Sequence, residues 1–344
     1  MSVATNPQPA AAGAGAPTVR AERVLTFGDV FGRDAGGLIV LLILFGGLTY
    51  FVDEFMTGAN MANLSRQVAV YGIIAVGQLL VILTAGIDLS VGSVIGLTGC
   101  IAAELIVHGT GIPVAILAGL ASGAAIGVFN GVLVARGKLP PFIVTLGMLG
   151  IARGLVLVLT NAKSVGPLPD SFANIANGTS DVLGLHILKL PNLLLMLIVV
   201  VVVTAFVLRR TVFGRYIYAV GSNPESARLA GVPVTRVLIA VYAIAGLLAA
   251  VGGVLLTSRL SAGIPTTGTG YELNAIAACV IGGASLFGAK GGAFGAVAGA
   301  LIVGTLQNGG NLKNFDPFYL QIVIGALILV AVAFDQFQAR RGRA

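Results

Sequence analysis

"LLLMLIVVVVVTAFVL", residues 193–208, is the stretch that decides the fold. It runs without a charge and without the apolar–polar alternation of a barrel strand, whose segments are about ten residues long. About 20 apolar residues span a bilayer core as a helix. The same texture returns in "VLIAVYAIAGLLAAVGGVLL", residues 237–256. Of the 344 residues, 57% are hydrophobic and 10% charged, and the mean hydropathy is +0.99. A soluble protein carries about 25% charged residues. A chain this poor in charge cannot coat a globular surface, so its solvent is lipid. The fold class is all-α, polytopic and membrane-embedded.

The apolar runs predict about ten membrane helices, near 36–52, 67–86, 89–107, 112–135, 140–160, 192–208, 236–257, 273–287, 291–309 and 317–334. Runs that are short and rich in Gly can be broken or re-entrant. Lys and Arg orient them. Arg20, Arg23, Arg33, Arg136, Lys138, Arg209, Arg210, Arg215, Arg228, Arg236, Lys290, Arg340, Arg341 and Arg343 fall on one side of a ten-span chain. Few basic residues (Lys163, Lys189, Arg259, Lys313) fall on the other. Positive loops mark the cytoplasmic side, so both termini are expected there. The net charge of +7 is read the same way, not as a nucleic-acid surface. Residues 1–34 read as a disordered tail, 35–335 as the membrane domain with a polar loop at 209–235, and 336–344 as a second tail. The opening "MSVATNPQPAAAGAGAP" lacks the basic start and apolar core of a signal peptide. Cys100 and Cys279 lie within apolar runs and read as small buried hydrophobes. The 49 glycines read first as close helix packing, as in "GGAFGAVAGALIVG", residues 291–304.

Between two of the oiliest runs stands "AVGSNPESARLAGVPVTR", residues 219–236. Asn223 is a good N-cap and Pro224 suits the first helical position. Glu225 complements the positive end of the dipole. Gly231 can adopt the left-handed conformation and Pro233 stops continuation. The signals predict a helix of about two turns near Pro224–Ala230. It is too short to stand alone, and Ala227, Leu229 and Ala230 are too few to form a core. It either docks into a partner or simply connects two spans.

"GRYIYAVGSNPESARLAGV" (214–232) resembles the cytoplasmic coupling loop of the bacterial ABC sugar-importer permeases, the ribose and xylose permease family. "GQLLVILTAGIDLSVGSVIGLTG" (77–99) resembles that family's most characteristic membrane segment, and "GTGYELNAIAACVIGGASLFGAKGGAFGAVAGALIVGTLQNG" (268–309) its third block. The blocks occur in the family's order, and the resemblance runs from about residue 36 to 335. It implies a bacterial inner-membrane permease subunit that works as a pair, as a homodimer or with a related permease. ATPase subunits would bind ATP and magnesium on the cytoplasmic side, and a solute-binding protein would deliver a small sugar outside. Gly221, Ser222, Asn223, Pro224, Glu225, Ser226, Ala227, Arg228, Leu229, Ala230 and Gly231 would then form the coupling segment. Glu225 and Arg228 would make polar contacts with the ATPase, and Ala227 and Ala230 would allow close approach.

The chain itself carries no ATP site. The nearest approach to the phosphate-binding pattern G-x-x-x-x-G-K-[ST] is Gly283 to Gly288, but Lys290 comes one place late and no Ser or Thr follows. No cofactor is expected. Two distant histidines, His108 and His186, and two membrane cysteines do not make a metal site. Intramembrane acids mark ion-coupled carriers; besides Glu104, near the end of its run, the candidate is Asp88 in "TAGIDLSVGS". Asp88 can be an N-cap, a lining of the solute route with Ser90 and Ser93, or a protonatable site. Gln78, Thr84, Asn130, Thr145, Asn274, Gln307 and Asn308 are mid-span polar residues that either line the route or bond helix to helix. Arg153 lies well inside its run and must snorkel, pair or face water. The link "SRLSAGIPTTGTGYELN" (258–274) reads as an outer loop; its Arg259, Tyr271 and Glu272 are candidate contacts for the binding protein. The reading is therefore a sugar permease subunit. The alternatives are a permease of the same superfamily for a nucleoside or branched-chain amino acid, or an ion-coupled carrier acting alone. An intramembrane enzyme would need a catalytic constellation, and none is visible in the sequence.

Overall fold

The computed structural model describes residues 27–181 and 189–341. Residues 1–26, His186 and residues 342–344 lie outside the described residues. The chain divides into two units, Met1–Arg33 and Asp34–Ala344; every contact below belongs to the second. The order is α1 (Phe27–Phe51), α2 (Gly58–Leu83), α3 (Val91–Val107), α4 (Ile112–Ala135), α5 (Pro141–Leu159), α6 (Asp170–Asn177), β1 (Thr179–Asp181), β2 (Lys189–Pro191), α7 (Asn192–Arg210), α8 (Val212–Ser222), α9 (Pro224–Leu229), α10 (Val234–Leu260), α11 (Tyr271–Ile281), α12 (Ala293–Leu312) and α13 (Pro317–Arg341). Among the described residues the protein is all-α apart from the small antiparallel pair β1–β2, which the apolar pattern gave no sign of.

A helix falls on each apolar run of the sequence, although in the run at 273–287 the helix stops at Ile281. Six (α2, α4, α5, α7, α10 and α13) are long and apolar enough to cross a bilayer. The apolar part of α1 (Ile39–Phe51), α3 and α11 are shorter. α12 has 20 residues, but its glycines and the pair Gln307–Asn308 dilute its apolar character.

α2 is the axis of the bundle and is buried along most of its length. It packs against α7, α10, α11 and α12. α4 and α10 form the most extensive helix pair, and glycine makes it possible. A Cβ at Gly127 would lie 2.2 Å from the Tyr242 carbonyl oxygen, and one at Gly246 would lie 2.3 Å from that of Gly123. Without a hydrophobic drive between helices in lipid, such backbone approach supplies the packing. The outer faces of α4, α5, α7 and α13 remain apolar and exposed, with Leu117, Val158, Val202, Phe206 and Leu329 among them.

Two breaks interrupt this pattern. The first is 84–90, between α2 and α3. The second follows α10. The segment 261–270 does not stay at the end of the bundle. Gly263 packs on Cys100 and Ala103, and Gly268 packs on Gly92 and Ile95. The chain thus retreats along α3 by about 12 Å at 1.5 Å per residue. Gly268 and Gly270, both at φ +81°, supply the left-handed turns that start α11. Tyr271 meets Tyr71 at 4.9 Å between rings, and Tyr71 is near the midpoint of α2. α11 therefore begins halfway through the bundle.

Candidate functional site

Irregular backbone at membrane depth must be satisfied by protein or line a cavity. The first break is satisfied by protein. Gln78, fully buried, donates its amide to the Asp88 carbonyl at 3.0 Å and accepts from the Asp88 N–H at 3.2 Å. Asp88 Oδ1 accepts from the Ser90 N–H at 2.8 Å and the Ser90 hydroxyl at 2.6 Å. Asn130 of α4 donates to Ser90 Oγ at 3.2 Å. Thr145 of α5 donates to the Ile87 carbonyl at 3.0 Å, and the Ser93 hydroxyl to that of Ser90 at 2.8 Å. Gln78, Asp88, Ser90, Ser93, Asn130 and Thr145 thus form one buried cluster. Asp88 is not the N-cap of α3; that position is Ser90. It makes an Asx turn two residues earlier, because the helix begins at Val91. The Tyr242 hydroxyl, beside Gly86, and Asn130 Oδ1 are buried there without a hydrogen-bond partner.

The second break is held by Arg153. Its guanidinium donates to the carbonyls of Pro265 and Thr267, the latter at 3.2 Å. A lone cation inside α5 is thereby spent on two carbonyls of a non-helical segment. Glu272 lies against Gly92 on the same glycine edge of α3 that Arg153 meets at Gly96. Tyr271 and Glu272 form the first turn of α11, with the Tyr271 ring against Tyr71 of α2. Arg259, in the last turn of α10, stays near the end and donates to Asn63 Oδ1 at 2.6 Å.

A polar cavity of about 540 Å³ opens at this end, lined by Asn63, Arg66, Gln67, Arg259, Thr266–Thr269, Tyr271 and Asn311 among others. Beside it, Tyr71 donates to Gln307 Oε1 at 2.5 Å and Gln67 to the same oxygen at 3.2 Å. Asn308 turns elsewhere. It exchanges two amide hydrogen bonds with Asn60, at 2.8 and 3.0 Å, and so joins α12 to α2. Thr84 donates to the Val81 carbonyl of its own turn at 2.8 Å. Asn274 is half-buried on α11. The cavity residues Asn63, Arg66, Gln67 and Asn311 escaped the sequence reading; the four-residue spacing of Gln67 and Tyr71 on one helical face was the available signal.

At the far end of α2 lies the short helix α9. Asn223 Oδ1 accepts from the Glu225 and Ser226 N–H groups, both at 3.0 Å. At the other terminus the Gly231 N–H bonds the Arg228 carbonyl and the Val232 N–H bonds that of Ala227, a Schellman closure with Gly231 at φ +82°. Ala227 turns into the bundle and is buried. The outward face is Glu225, Arg228 and Leu229. Glu225 and Arg228 pair at 3.6 Å, and Leu229 is 82% exposed.

α9 is not loosely attached. Gly221, at the end of α8, sits on the Leu83 carbonyl that ends α2; a Cβ there would lie 1.8 Å from that oxygen. The same oxygen accepts the Ala289 N–H at 3.0 Å. Tyr218 of α8 donates to the Gly291 carbonyl at 2.9 Å; burial raises its phenol above the usual range, so it stays a donor. α8, the end of α2 and the link 282–292 thus meet at one carbonyl. The segment that mimics a phosphate loop is this link. Among the described residues, no group of three or more His, Cys, Asp or Glu gathers to hold a metal.

The family described as "Branched-chain amino acid transport system / permease component" matches residues 60–332. The chain belongs to this permease family. The permease is 43% identical over 303 residues to the ribose import permease protein of Escherichia coli (strain K12), covering 87% of this chain and 92% of that one. The ribose import permease protein of Bacillus subtilis (strain 168) is 42% identical over 300 residues, with 87% and 91% covered. The L-arabinose ABC transporter permease protein of Azospirillum brasilense is 37% identical over 310 residues, with 90% and 89% covered. No solved structure matches the permease. Its role is that of a transport component and not of an enzyme.

Proposed function

We propose that this permease is the membrane subunit of an ATP-driven importer for a small sugar such as a pentose. The observation that carries the reading is the match, along nearly its whole length, to ribose and arabinose permeases. The two ends of the bundle fit it. One end has a polar cavity that reaches the half-depth tyrosines. The other presents α9, whose Glu225, Arg228 and Leu229 face outward while Gly221 ties its neighbour to α2. In this reading a separate ATPase binds ATP and magnesium and covers α9. Its closure moves α8 against the Leu83 carbonyl and so shifts α2, the axis of the bundle.

The remaining features follow from the same proposal. The helices α1, α3, α11 and α12 cross or enter the bilayer with the other six, giving ten. Both termini lie in the cytoplasm of a bacterial cell, beneath the inner membrane. Two copies pair around the route. A solute-binding protein docks at the cavity end, where Arg259 stands near the mouth. Tyr271 and Glu272 stand deeper and serve the route. The buried cluster around Asp88 acts as a hinge that keeps the break between α2 and α3 satisfied, which argues against a lone ion-coupled carrier.

The test is uptake into proteoliposomes holding this chain, its ATPase and its binding protein. ATP-dependent accumulation of labelled ribose or arabinose, lost in Glu225→Ala and in the absence of the ATPase, is the expected result. Uptake driven by an ion gradient in vesicles containing this chain alone would refute it. The family's description favours one second reading, a branched-chain amino acid as solute; labelled leucine in the same vesicles distinguishes the two.

A further inference from the structure

The cavity at the outer end contains two guanidinium groups, Arg66 and Arg259. Among the described residues, neither has a carboxylate within 4.0 Å, and none of the lining residues is acidic. Residues 182–188 include no acid either. Arg66 spends one nitrogen on the Asn177 carbonyl at 3.2 Å, while its Nε is buried without a hydrogen-bond partner. Arg259 has the Asn63 side-chain oxygen at 2.6 Å. Two like charges in one partly enclosed cavity repel, and a buried donor left unmade costs more than a made one returns. The complement to such an arrangement is a planar anion that accepts two parallel N–H bonds. Around the cations the lining changes to neutral hydrogen-bonding groups, Asn63, Gln67, Thr266, Thr269 and Asn311, with Tyr271 among them. That surround suits hydroxyl groups and a sugar ring.

We infer that the cavity takes a sugar acid, with the carboxylate on Arg66 and Arg259 and the hydroxyls on the amide and threonine groups. The inference rests on the sugar-permease reading and adds anionic sugars, as the tighter ligands of this cavity, to the neutral sugars of that reading. A cavity of about 540 Å³ is ample for a six-carbon aldonate or uronate, since pockets for small molecules run from about 300 Å³ upward. Among the described residues the Arg66 Nε has no hydrogen-bond partner; a carboxylate brings a negative charge to the two guanidinium groups, and a neutral sugar brings none.

The test uses the full chain in lipid nanodiscs with D-gluconate, D-glucuronate, D-glucose and acetate as probes, and binding measured by calorimetry. The expected result is at least tenfold tighter binding of the two sugar acids than of D-glucose, about 1.4 kcal/mol, with acetate weaker than both acids. In Arg66→Gln that ratio falls toward one, and Arg66→Lys keeps part of it, because charge remains but the fork is lost. Circular dichroism and the unfolding midpoint check that each variant is folded. Equal binding of D-glucose and D-gluconate overturns the inference, as does a preference that survives in Arg66→Gln. Acetate binding as tightly as gluconate also overturns it, because the cavity then holds an anion without reading a sugar. So does a fourth outcome, in which Arg66→Gln loosens only the docking of the solute-binding protein. ATP-driven uptake of neutral ribose in the reconstituted complex stands apart from these results; only its loss counts against the permease reading itself.

Discussion

Gly221→Ala adds one methyl group where α8 meets the end of α2. Its Cβ would lie 1.8 Å from the Leu83 carbonyl oxygen and 2.9 Å from the Ala289 nitrogen. Real Cβ atoms essentially never come within 3.0 Å of another heavy atom, so α8 must back away by more than an ångström. Overpacking of this kind costs about 1–3 kcal/mol. The Leu83 oxygen also accepts the Ala289 N–H at 3.0 Å; breaking that bond adds about 0.5–1.5 kcal/mol. Together these lower the unfolding midpoint by on the order of 5 °C. The chain offers its own reporter. Its two cysteines, Cys100 and Cys279, are both fully buried, so a thiol-reactive fluorophore stays dark until the bundle opens. Gly147→Ala in α5 is the control, because nothing lies within 4 Å of a Cβ there. It should leave the midpoint level or raise it slightly, as Ala outdoes Gly inside a helix by about 0.5–1 kcal/mol. A Gly221→Ala midpoint that matches the wild type refutes the reasoning, and so does a loss as large in Gly147→Ala. In the reconstituted importer the same variant should lose uptake more than ATP hydrolysis, because the fault lies in the connection and not in the ATPase.

Three further perturbations probe the same architecture. Asn308→Leu leaves the buried Asn60 Oδ1 without its donor, while Asn60 Nδ2 keeps the Phe55 carbonyl, and should cost about 1–3 kcal/mol; the double variant with Asn60→Leu should cost less than the two singles together, and a thermal double-mutant cycle with no coupling would refute the pairing. Arg153→Met removes the donor to the Pro265 and Thr267 carbonyls and should free the segment 261–270; hydrogen exchange in Thr266–Gly270 should rise at least tenfold, and unchanged protection would show that Arg153 does not hold it. Asn223→Ala deletes the cap of α9 and should weaken that helix by about 1 kcal/mol; with α9 at the ATPase interface, the complex should dissociate faster in surface plasmon resonance, while Asn223→Ser keeps most of the affinity.

The sequence reading reached some of these features and not others, for physical reasons. The ends of α9 were legible because capping is local: Asn223, Pro224 and Gly231 lie within nine residues and act on their own backbone. The apolar runs were legible as helices for the same reason, since a backbone in lipid must satisfy itself within a short segment. The return of 261–270 into the bundle was not. Thr, Pro and Gly look alike in an outer loop and in a re-entrant one. What holds the segment inside is Arg153, 112 residues away from Pro265. The cluster at 84–90 was half legible. Its polar residues stood out one by one, but that they satisfy a broken backbone, and so come together, depends on α4 and α5 arriving beside it. The polar cavity was least legible, because its lining comes from α2, α10, the returning segment and the end of α12.

The glycine contacts between α4 and α10 also bear on how this chain can drift. Every substitution at a glycine adds a β-carbon. At Gly127 and Gly246 that carbon meets a facing carbonyl at 2.2–2.3 Å, and both helices run too long to bend around one point. These positions are closed to single steps. An acceptable change at either needs a matching retreat of the opposite backbone, which no one codon encodes. Gly147, Gly150 and Gly154 on α5 meet nothing within 4 Å and are open to ordinary turnover. The α4–α10 seam therefore sets a slow clock within a chain whose lipid-facing helices can keep a fast one.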